Sequence, residues 1–467
     1  MAKDLRFYLN RLAERAPEEL RRVRREVSHR WEPIAVIGRM DREGIHPAVL
    51  FERIKGFEFP VLANLLSSRK KFAVALDTSE DNVTEVLGER ETRSVPPRRV
   101  ATGPVKDVRY IGEEADLGHL PIVLHHELND APYITMGVLV AKYPETGTSN
   151  LGIYRHKVLG RNRLGVYYSW GKRLQYIHRK AEQRSEPLEC AIVIGMHPGF
   201  CIASQTQLSR KSGVDEYEVA GGLLDEPVEV VKCETVDVEV PAHAEIVIEG
   251  KIIPHVRQTE GPFSEYHRYY GQVVDAPEME VTAITHRRDA IYHNVGEYME
   301  MVTLNSLAKE GHLLRELRKV LPTVRAVRIP LSGVMYHAYV QMEKVNEGDA
   351  KNVLMAALTR TPYLKTVFAF DPDVDIFDED DVLWALSTRV VPDQDLLIIP
   401  GARGNRLDPT TYTITRLARD GMVTKMGIDA TIPMGLPYDY PDRLEIPGVE
   451  EIRIEDYVSP SKVGVGQ

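Results

Sequence analysis

The sequence has few of the features that build disulfide frameworks, nucleic-acid surfaces or membrane spans. Its three cysteines, Cys190, Cys201 and Cys233, are widely separated with no CxxC pair, which argues against a disulfide framework or a zinc knuckle and favours a reducing cytoplasm. The formal charge is −10, and no basic cluster is flanked by base-stacking aromatics, so nucleic acid is excluded as a partner. No run of 18 apolar residues and no apolar leader occurs, which predicts a cytoplasmic protein without a membrane span.

Several catalytic and metal-binding fingerprints are also missing. The sequence contains no Walker A loop, G-x-S-x-G elbow or G-x-G-x-x-G motif, which disfavours phosphate-loop ATPases, α/β-hydrolases and Rossmann dehydrogenases. The acidic run 371–375 fails as an EF-hand loop because Ile376 stands where that loop needs glycine. His125-His126-Glu127 is not an HExxH motif and precedes a strand, so zinc binding there is disfavoured.

Length and hydrophobic patterning predict three domains. A chain of 467 residues exceeds what one hydrophobic core usually serves. Short strands alternating with helices predict an α/β domain over residues 1–115. Many short strands with few helices predict a barrel or strongly curved sheet over 116–304. The α/β alternation then returns over 305–450, in a layer suited to self-association, and residues 451–467 form a tail.

Four local predictions follow from the same patterning. The apolar runs Ile34–Ile37 and Phe72–Leu76 are predicted to be strands of the first domain. Strict alternation over Val236–Val240 predicts the clearest strand of the second domain. A helix over Leu307–Leu321, ended by Pro322, is predicted to open the third domain.

A pair of glutamates provides the first candidate for chemistry. Glu260 and Glu265 are five residues apart, and the intervening Gly261-Pro262 turn is expected to hold both carboxylates at one rim. Two such carboxylates form a candidate acid/base pair. Taken alone, a glutamate-rich loop is more often solvated surface, so the interpretation depends on the other segments of the chain.

Several segments together resemble the UbiD family of decarboxylases, which use prenylated FMN. The resemblance covers nearly the whole chain, and it includes Asn150–Arg155, Asp215–Glu218, Glu229–Cys233, Val240–Gly250, Asp289–Tyr292, Ala385–Arg389 and Lys425–Thr431. It implies an N-terminal α/β domain, a central split β-barrel that binds the flavin, and a C-terminal α/β domain that drives oligomerisation. The same three-part α/β architecture is predicted by the patterning alone.

The resemblance implies a catalytic network of Arg155, Glu260 and Glu265. In the reaction it implies, the flavin accepts electrons as CO₂ leaves, and Glu265 then protonates the substrate carbon. Arg155 can bind the substrate carboxylate because a planar guanidinium matches its two oxygens. To donate a proton near neutral pH, Glu265 needs a pKa above the usual value of about 4.3. The two glutamates are therefore expected in opposite environments, with Glu260 ionised and nearer Arg155.

The resemblance also implies how the cofactor is held. Asn150 and Glu216 match ligands of a divalent metal, usually Mn²⁺, that bridges the flavin phosphate, and Lys425 matches a lysine that pairs with that phosphate. The other matched cofactor-binding residues are Ile153, Tyr154, Arg155, Lys172 and Arg173. The family's usual histidine ligand is replaced by Arg173, or by Trp170 in another alignment. Either the metal has fewer protein ligands, or Arg173 contacts the phosphate directly.

Further expectations concern potassium, substrate and partners. The resemblance implies a K⁺ ion near Ala203-Ser204, although the segment 205–211 matches the family poorly. The implied substrates are aromatic, heteroaromatic or α,β-unsaturated acids, including a phosphorylated isoprenoid precursor, and His293–Met301 is expected to line their pocket. A flavin prenyltransferase is expected to supply the cofactor, and the chain is expected to form a homodimer or higher homo-oligomer.

Two other functions remain open at this stage. A non-catalytic paralogue, acting as an assembly or cofactor-carrying subunit, would explain the missing histidine, although Arg155, Glu260 and Glu265 argue against it. An enzyme that uses ordinary FMN for redox chemistry is the third reading, but the sequence has no nicotinamide fingerprint to support it.

Overall fold

The structure is a computed structural model that describes residues 2–169, 171–206, 215–296, 298–411, 421–435, 440–444 and 446–457. Met1–Thr431 forms one compact unit and Ile432–Gln467 another. The described part of the second unit contains one short helix, Ile454–Tyr457, preceded by a single 3₁₀ turn at Val449–Glu451. Among all described residues, no helix combines the length and apolar character needed to cross a bilayer.

The N-terminal domain packs four helices around a small sheet. Its elements are α1 (Leu5–Arg15), β1 (Leu20–Val23), α2 (Glu32–Arg42), β2 (Ala48–Phe51), β3 (Val61–Ala63), α3 (Arg69–Ala75) and α4 (Val83–Arg90). The strand order is β1-β2-β3, and β3 is joined by a strand from much later in the chain, Tyr292–Asn294, which is β16 in chain order. This pairing ties the first domain to the second.

Two strand predictions in this domain were wrong. Ile34–Ile37 lies inside α2, where Pro33 occupies the first turn and Pro33, Ile34 and Ile37 form the buried face. Residues 72–75 lie inside α3, which begins at a cap where the Ser68 side chain accepts from the backbone N–H of Lys71. A short apolar run does not distinguish a strand from a buried helical turn. Pro33 in the first turn of α2 and the Ser68 cap of α3 mark these two runs as helical.

The central domain is built on one curved sheet of nine strands. Its elements are β4 (Arg98–Arg99), β5 (Val108–Ile111), β6 (Tyr133–Ile134), β7 (Val138–Lys142), β8 (Ser149–Ile153), β9 (Arg155–Gly160), β10 (Arg163–Tyr167), α5 (Arg173–Gln183), β11 (Leu188–Ile194), α6 (Pro198–Ala203), α7 (Glu216–Leu224), β12 (Glu229–Lys232), β13 (Glu239–Pro241), β14 (Ile246–Glu260), β15 (Val274–His286) and β16. The order is β6-β9-β10-β15-β14-β11-β7-β8, with β5 on β15; β4, β12 and β13 form a separate small sheet.

The long strand pair β14 and β15 is irregular at two points. Its register shifts twice, between Glu249 and Gly250 and between Ile252 and Arg257, and such irregularities bend a strand. Glu260 is the last residue of β14, paired with Val274. This strand therefore places Glu260 at the rim of the sheet. The curved sheet predicted from the sequence is confirmed.

The strand predicted over Val236–Val240 is mostly a turn. Only its last two residues belong to a strand, β13. The buried carboxylate of Glu249 accepts hydrogen bonds from the backbone N–H groups of Glu234 and Thr235 at 2.8 and 2.7 Å. This side chain supplies the acceptor that a neighbouring strand would otherwise provide.

The C-terminal domain packs helices around a five-stranded sheet. Its elements are α8 (Tyr298–Arg318), β17 (Val324–Arg328), β18 (His337–Met342), α9 (Asp349–Arg360), β19 (Thr366–Phe370), α10 (Glu379–Arg389), α11 (Pro392–Asp395), β20 (Leu396–Arg403) and β21 (Met422–Ala430). The strand order is β17-β18-β19-β21-β20, with β18, β19 and β21 parallel. The helix predicted over Leu307–Leu321 begins earlier, at Tyr298.

A buried glutamate on α8 fastens this helix to the N-terminal domain. The carboxylate of Glu300, which is fully buried, accepts hydrogen bonds from the backbone N–H groups of Asn64 and Leu66 at 2.9 Å each and of Gly296 at 2.7 Å. One side chain thus satisfies donors from the loop after β3 and from the segment that leads into α8.

Removing this carboxylate should destabilise the protein. The variant Glu300→Ala leaves the three N–H groups without an acceptor, and each unsatisfied buried donor costs about 1–3 kcal/mol. The control Glu85→Ala removes an exposed ion pair with Arg318 at the other end of α8, which contributes little. Thermal unfolding should show a much larger fall in melting temperature for Glu300→Ala, and equal falls would contradict this role.

Candidate active site

Two adjoining cavities lie in the first compact unit. The larger has a volume of about 550 Å³ and the smaller about 320 Å³. They share part of their lining, namely Ile153, Tyr154, Ser169, Lys172, Gln205, Asn305 and Tyr363. Arg155 and Glu265 line the larger cavity, whereas basic side chains dominate the smaller one.

Arg155 is a buried cation held between two carboxylates. It opens β9, and its Nε donates to Glu260 Oε1 at 2.7 Å while its Nη1 donates to Glu265 Oε1. Its guanidinium lies over the ring of Tyr167, the residue opposite it on β10, at 3.9 Å from the centroid, and 4.9 Å from that of Phe263. Burial alone would lower the pKa of Arg155, but Glu265 and Glu260 together raise it above its ordinary value. The guanidinium therefore stays charged.

The loop after β14 places Glu265 at the cavity. Gly261 has a φ of +92° and begins the turn, and the Gly261-Pro262 peptide bond is cis. The backbone N–H of Glu265 donates to Tyr269 at 2.9 Å, and that of Gly271 donates to Phe263 at 2.8 Å. A Cβ at Gly271 would lie 3.0 Å from Glu265 Oε1, so a side chain there would press on the carboxylate.

The expected contrast between the two glutamates is found in cavity access and not in their contact with Arg155. Both contact the guanidinium, so the expectation that Glu260 lies nearer Arg155 than Glu265 does is not met. Glu265 lines the larger cavity, whereas Glu260 is fully buried behind it. Burial raises the pKa of Glu260 above its ordinary value, against the opposing effect of Arg155. A carboxylate paired with arginine is expected to have a lowered pKa, but here desolvation outweighs the guanidinium.

The smaller cavity is lined by cationic side chains. Lys172 and Arg173, predicted from the sequence, are joined there by three that were missed, Lys309, Arg403 and Arg406. Asn150, Ile153 and Tyr154, also predicted, line the same cavity. Lys309 is fully buried, and burial followed by the nearby charge of Lys172 lowers its pKa well below the ordinary value. An anion entering this cavity would favour the charged form of Lys309.

Lys425 does not reach the cavity, contrary to the prediction. Its side chain lies on β21 beneath the C-terminal end of α9, where Nζ donates to the backbone carbonyls of Leu358 at 2.6 Å and Thr361 at 3.0 Å. Burial lowers its pKa to about 8. The unsatisfied carbonyls at a helix end hold this ammonium group, and Lys425 is absent from the described lining of both cavities.

The residues expected to bind a metal form an ion pair instead. Glu216 Oε2 accepts from Asn150 Nδ2 at 2.9 Å and from the backbone N–H of Leu151, and Glu216 Oε1 pairs with Arg173 Nη1. Asn150 Oδ1 is buried without a hydrogen-bond partner, so one oxygen donor is available. Among the described residues no cluster of three His, Cys, Asp or Glu side chains could hold a metal.

This donor set does not fit a divalent cation. Such an ion needs about six oxygen or nitrogen ligands, and a guanidinium has no lone pair to offer. Its positive charge also repels a neighbouring cation. Trp170 and residues 207–211 lie outside the described residues, so the alternative alignment and most of the expected K⁺ segment stay predictions. Ala203 and Ser204 end α6, with Ser204 Oγ donating to the Cys201 carbonyl at 2.6 Å.

The segment His293–Met301 contributes to the larger cavity only in part. Val295, Gly296, Tyr298 and Met301 line it, whereas His293 and Asn294 lie in β16 and are fully buried. Sequence reasoning missed the two rings around Arg155, because no local pattern links positions 155, 167 and 263. The run Arg403-Gly-Asn-Arg406, with two arginines around a glycine turn, is a pattern from which an anion-binding loop could have been predicted.

Comparison with known proteins identifies the family. Models described as the N-terminal, Rift-related and C-terminal domains of 3-octaprenyl-4-hydroxybenzoate carboxy-lyase, the UbiD models, match residues 12–91, 98–298 and 302–430. An anhydromevalonate phosphate decarboxylase of Methanothermobacter thermautotrophicus is 37% identical over 432 residues, covering 92% of this chain and 97% of that protein.

Comparison with solved structures identifies the same family. The UbiD-class enzyme HmfF from Pelotomaculum thermopropionicum, in complex with FMN, has a TM-score of 0.90 and 43% identity, covering 97% of this chain and 100% of that chain. An evolved dimeric form of HmfF in complex with prFMN has a TM-score of 0.87 and 40% identity, with coverage of 98% and 100%. Vanillic acid decarboxylase of Sedimentibacter hydroxybenzoicus has a TM-score of 0.85 and 32% identity, with 97% of each chain covered. The chain therefore belongs to the UbiD family of carboxy-lyases.

Proposed function

We propose that this protein catalyses the non-oxidative decarboxylation of an aromatic, heteroaromatic or α,β-unsaturated carboxylic acid with prenylated FMN. One observation carries the proposal. A buried Arg155–Glu265 pair faces the larger cavity, and that cavity shares walls with a second one lined by five cationic side chains. The larger cavity thus offers groups that can bind and protonate a carboxylic acid, and the adjoining smaller cavity offers cations that can bind a phosphate. A flavin mononucleotide and a carboxylic acid bound together require both.

The residues that line the two cavities fit a flavin mononucleotide. Lys172, Arg173, Lys309, Arg403 and Arg406 would surround its phosphate. Ile153 and Tyr154 line both cavities and would contact the ring system between them. When bound, prenylated FMN would supply an electrophilic carbon and an acceptor for the electrons of the breaking carbon–carbon bond. The divalent metal is left out of the proposed site because Asn150, Glu216 and Arg173 together do not fit one.

Arg155 would bind the substrate carboxylate by exchanging one of its partners. Nη1 is occupied by Glu265, which lines the cavity, while Nε is occupied by Glu260, which does not. An incoming carboxylate can therefore displace Glu265 only. Glu260 keeps the guanidinium in place during this exchange, which assigns it a positioning role.

The exchange would free the Glu265 carboxyl group to act as the proton donor. After displacement from Arg155 it would still line the cavity that holds the substrate. There it would donate a proton to the carbon that CO₂ leaves, which completes the reaction.

Two further basic side chains in the larger cavity favour an acid with a second anionic group. Arg42 and Arg268 line it together with Arg155, and the Arg268 guanidinium lies 5.2 Å from the centroid of Tyr298. The Methanothermobacter relative is named for a phosphorylated substrate. We infer that a phosphorylated α,β-unsaturated acid fits this cavity better than a simple aromatic acid.

The experiment that tests the proposal is co-production with a flavin prenyltransferase, the expected supplier of the cofactor. The purified protein should show flavin absorbance in the visible range and release CO₂ from at least one unsaturated or aromatic acid. Absence of both would support the non-catalytic paralogue, and flavin reduction without CO₂ release would support a redox enzyme. Size-exclusion chromatography with light scattering should show a homodimer or larger assembly.

Replacing the proton donor should stop turnover without loss of flavin. We expect Glu265→Gln to reduce CO₂ release by about 10²–10⁴-fold, the usual contribution of a general acid, while flavin absorbance per chain stays constant. Glu280→Gln, at an exposed position of β15, is the matched control and should keep full activity. Retained activity in Glu265→Gln would remove Glu265 from the mechanism.

The partner exchange on Arg155 predicts that Glu265 competes with carboxylate ligands. An unreactive carboxylate such as benzoate should bind Glu265→Gln more tightly than the native protein, because a neutral amide holds the guanidinium less strongly than a carboxylate does. The test is a titration with benzoate, followed by the flavin spectrum, in both proteins. Equal affinities would contradict the exchange.

Arg268 should discriminate phosphorylated from unphosphorylated acids. We expect Arg268→Gln to raise KM for a phosphorylated unsaturated acid about tenfold or more, the loss of one charge-assisted hydrogen bond, and to leave KM for an unphosphorylated acid unchanged. Arg288→Gln, at an exposed position outside the cavity, serves as the control. Equal effects on both substrates would show that Arg268 acts only on the cavity's structure.

A further inference from the structure

The cation-lined cavity already contains a fixed positive charge at the place where the sequence resemblance puts a metal. Arg173 is the first residue of α5, follows Lys172 at the N-cap, and lines the cavity. Its Nη1 pairs with Glu216 Oε1. Arg173 thus stands beside both expected metal ligands, Asn150 and Glu216.

Donor groups lie against both oxygens of the Glu216 carboxylate, through hydrogen bonds at Oε2 and an ion pair at Oε1. Its Oε2 accepts from Asn150 Nδ2 and from the backbone N–H of Leu151, and its Oε1 faces Arg173. Because Asn150 presents its amide nitrogen to Glu216, the two side chains form a donor–acceptor pair, whereas two metal ligands would both present oxygens. One guanidinium balances the charge of this one buried carboxylate.

A guanidinium can perform both tasks of a bridging metal at a phosphate. A divalent ion would supply positive charge and fix the position of the phosphate oxygens. A buried arginine held by a carboxylate also supplies positive charge, and its planar set of N–H donors matches phosphate oxygens in pairs. The other cations of this cavity, Lys172, Lys309, Arg403 and Arg406, add to that charge. Among the described lining residues none is acidic.

We propose that Arg173, held by Glu216, replaces the divalent metal in this protein and binds the cofactor phosphate directly, so that flavin binding needs no divalent ion. This inference rests on the proposed function, since it assumes a flavin phosphate in the smaller cavity. It differs from the sequence resemblance, which implies Mn²⁺ on Asn150 and Glu216.

The first test measures binding of FMN to flavin-free protein by fluorescence quenching, in excess chelator and in excess Mn²⁺. The affinity should be the same in both buffers, and elemental analysis of the FMN-loaded protein should find no stoichiometric divalent metal. Arg173→Gln should weaken FMN binding by about 10- to 100-fold, as expected for a lost hydrogen bond between charged groups, and Mn²⁺ should not restore it.

The second test restores a metal ligand. In Arg173→His, an imidazole joins Asn150 and Glu216, and this ligand set suits Mn²⁺. FMN binding by this variant should become dependent on Mn²⁺ and sensitive to chelator, with metal bound in proportion to flavin. Arg179→His, at an exposed position of the same helix, should behave as the native protein does and thereby controls for an added surface histidine.

The outcomes separate this inference from the proposed function. If native protein binds FMN only with Mn²⁺ and retains one ion per chain, the role of Arg173 is refuted while the flavin site stands. If Arg173→His binds FMN equally well in chelator and in Mn²⁺ at native affinity, Arg173 is likewise refuted as the phosphate ligand. If native protein binds no FMN in either buffer, both this inference and the proposed cofactor fail.

Discussion

The site depends on the sharing of one buried guanidinium between two buried carboxylates. Arg155 contacts Glu260 and Glu265 at once, and all three side chains are at most 9% exposed. One positive charge cannot neutralise two negative charges in a medium that screens weakly. The cluster therefore holds more carboxylates than cations, so a substrate carboxylate can reach Arg155 only by displacing one of the two glutamates.

The fold places the two glutamates differently because they belong to different kinds of structure. Glu260 ends β14 inside the hydrogen-bonded sheet, whereas Glu265 is carried by a loop whose tip, Arg268 to Tyr270, is exposed. A residue in a sheet is held by its neighbours on both sides, so Glu260 suits a fixed positioning role. A loop residue beside a cavity can exchange partners, and this property is what a proton donor needs.

From the sequence, the residues that form the site could be predicted better than the pKa shifts of those residues. Arg155, Glu260 and Glu265 come together as expected, as do Asn150, Glu216, Lys172 and Arg173. The raised pKa of Glu260 could not be foreseen, because it depends on how completely the folded sheet buries the carboxylate.

The failed predictions have equally physical causes. Lys425 was assigned to the phosphate, but the carbonyls at the end of α9 bind its ammonium group, and no local pattern reveals which face of β21 it occupies. The strand predictions at Ile34–Ile37 and Phe72–Leu76 failed because four or five apolar residues fit a buried helical turn equally well. By contrast the curved sheet, which rests on many strands together, could be predicted.

The most direct test is a crystal structure of the protein co-produced with a flavin prenyltransferase and soaked with an unreactive carboxylate. We predict the flavin phosphate among Lys172, Arg173, Lys309, Arg403 and Arg406, and the carboxylate on Arg155, with Glu265 displaced from Nη1 and Glu260 still on Nε. A carboxylate bound elsewhere while the Arg155–Glu265 pair stays intact, or a flavin with its phosphate outside the smaller cavity, would contradict this mechanism.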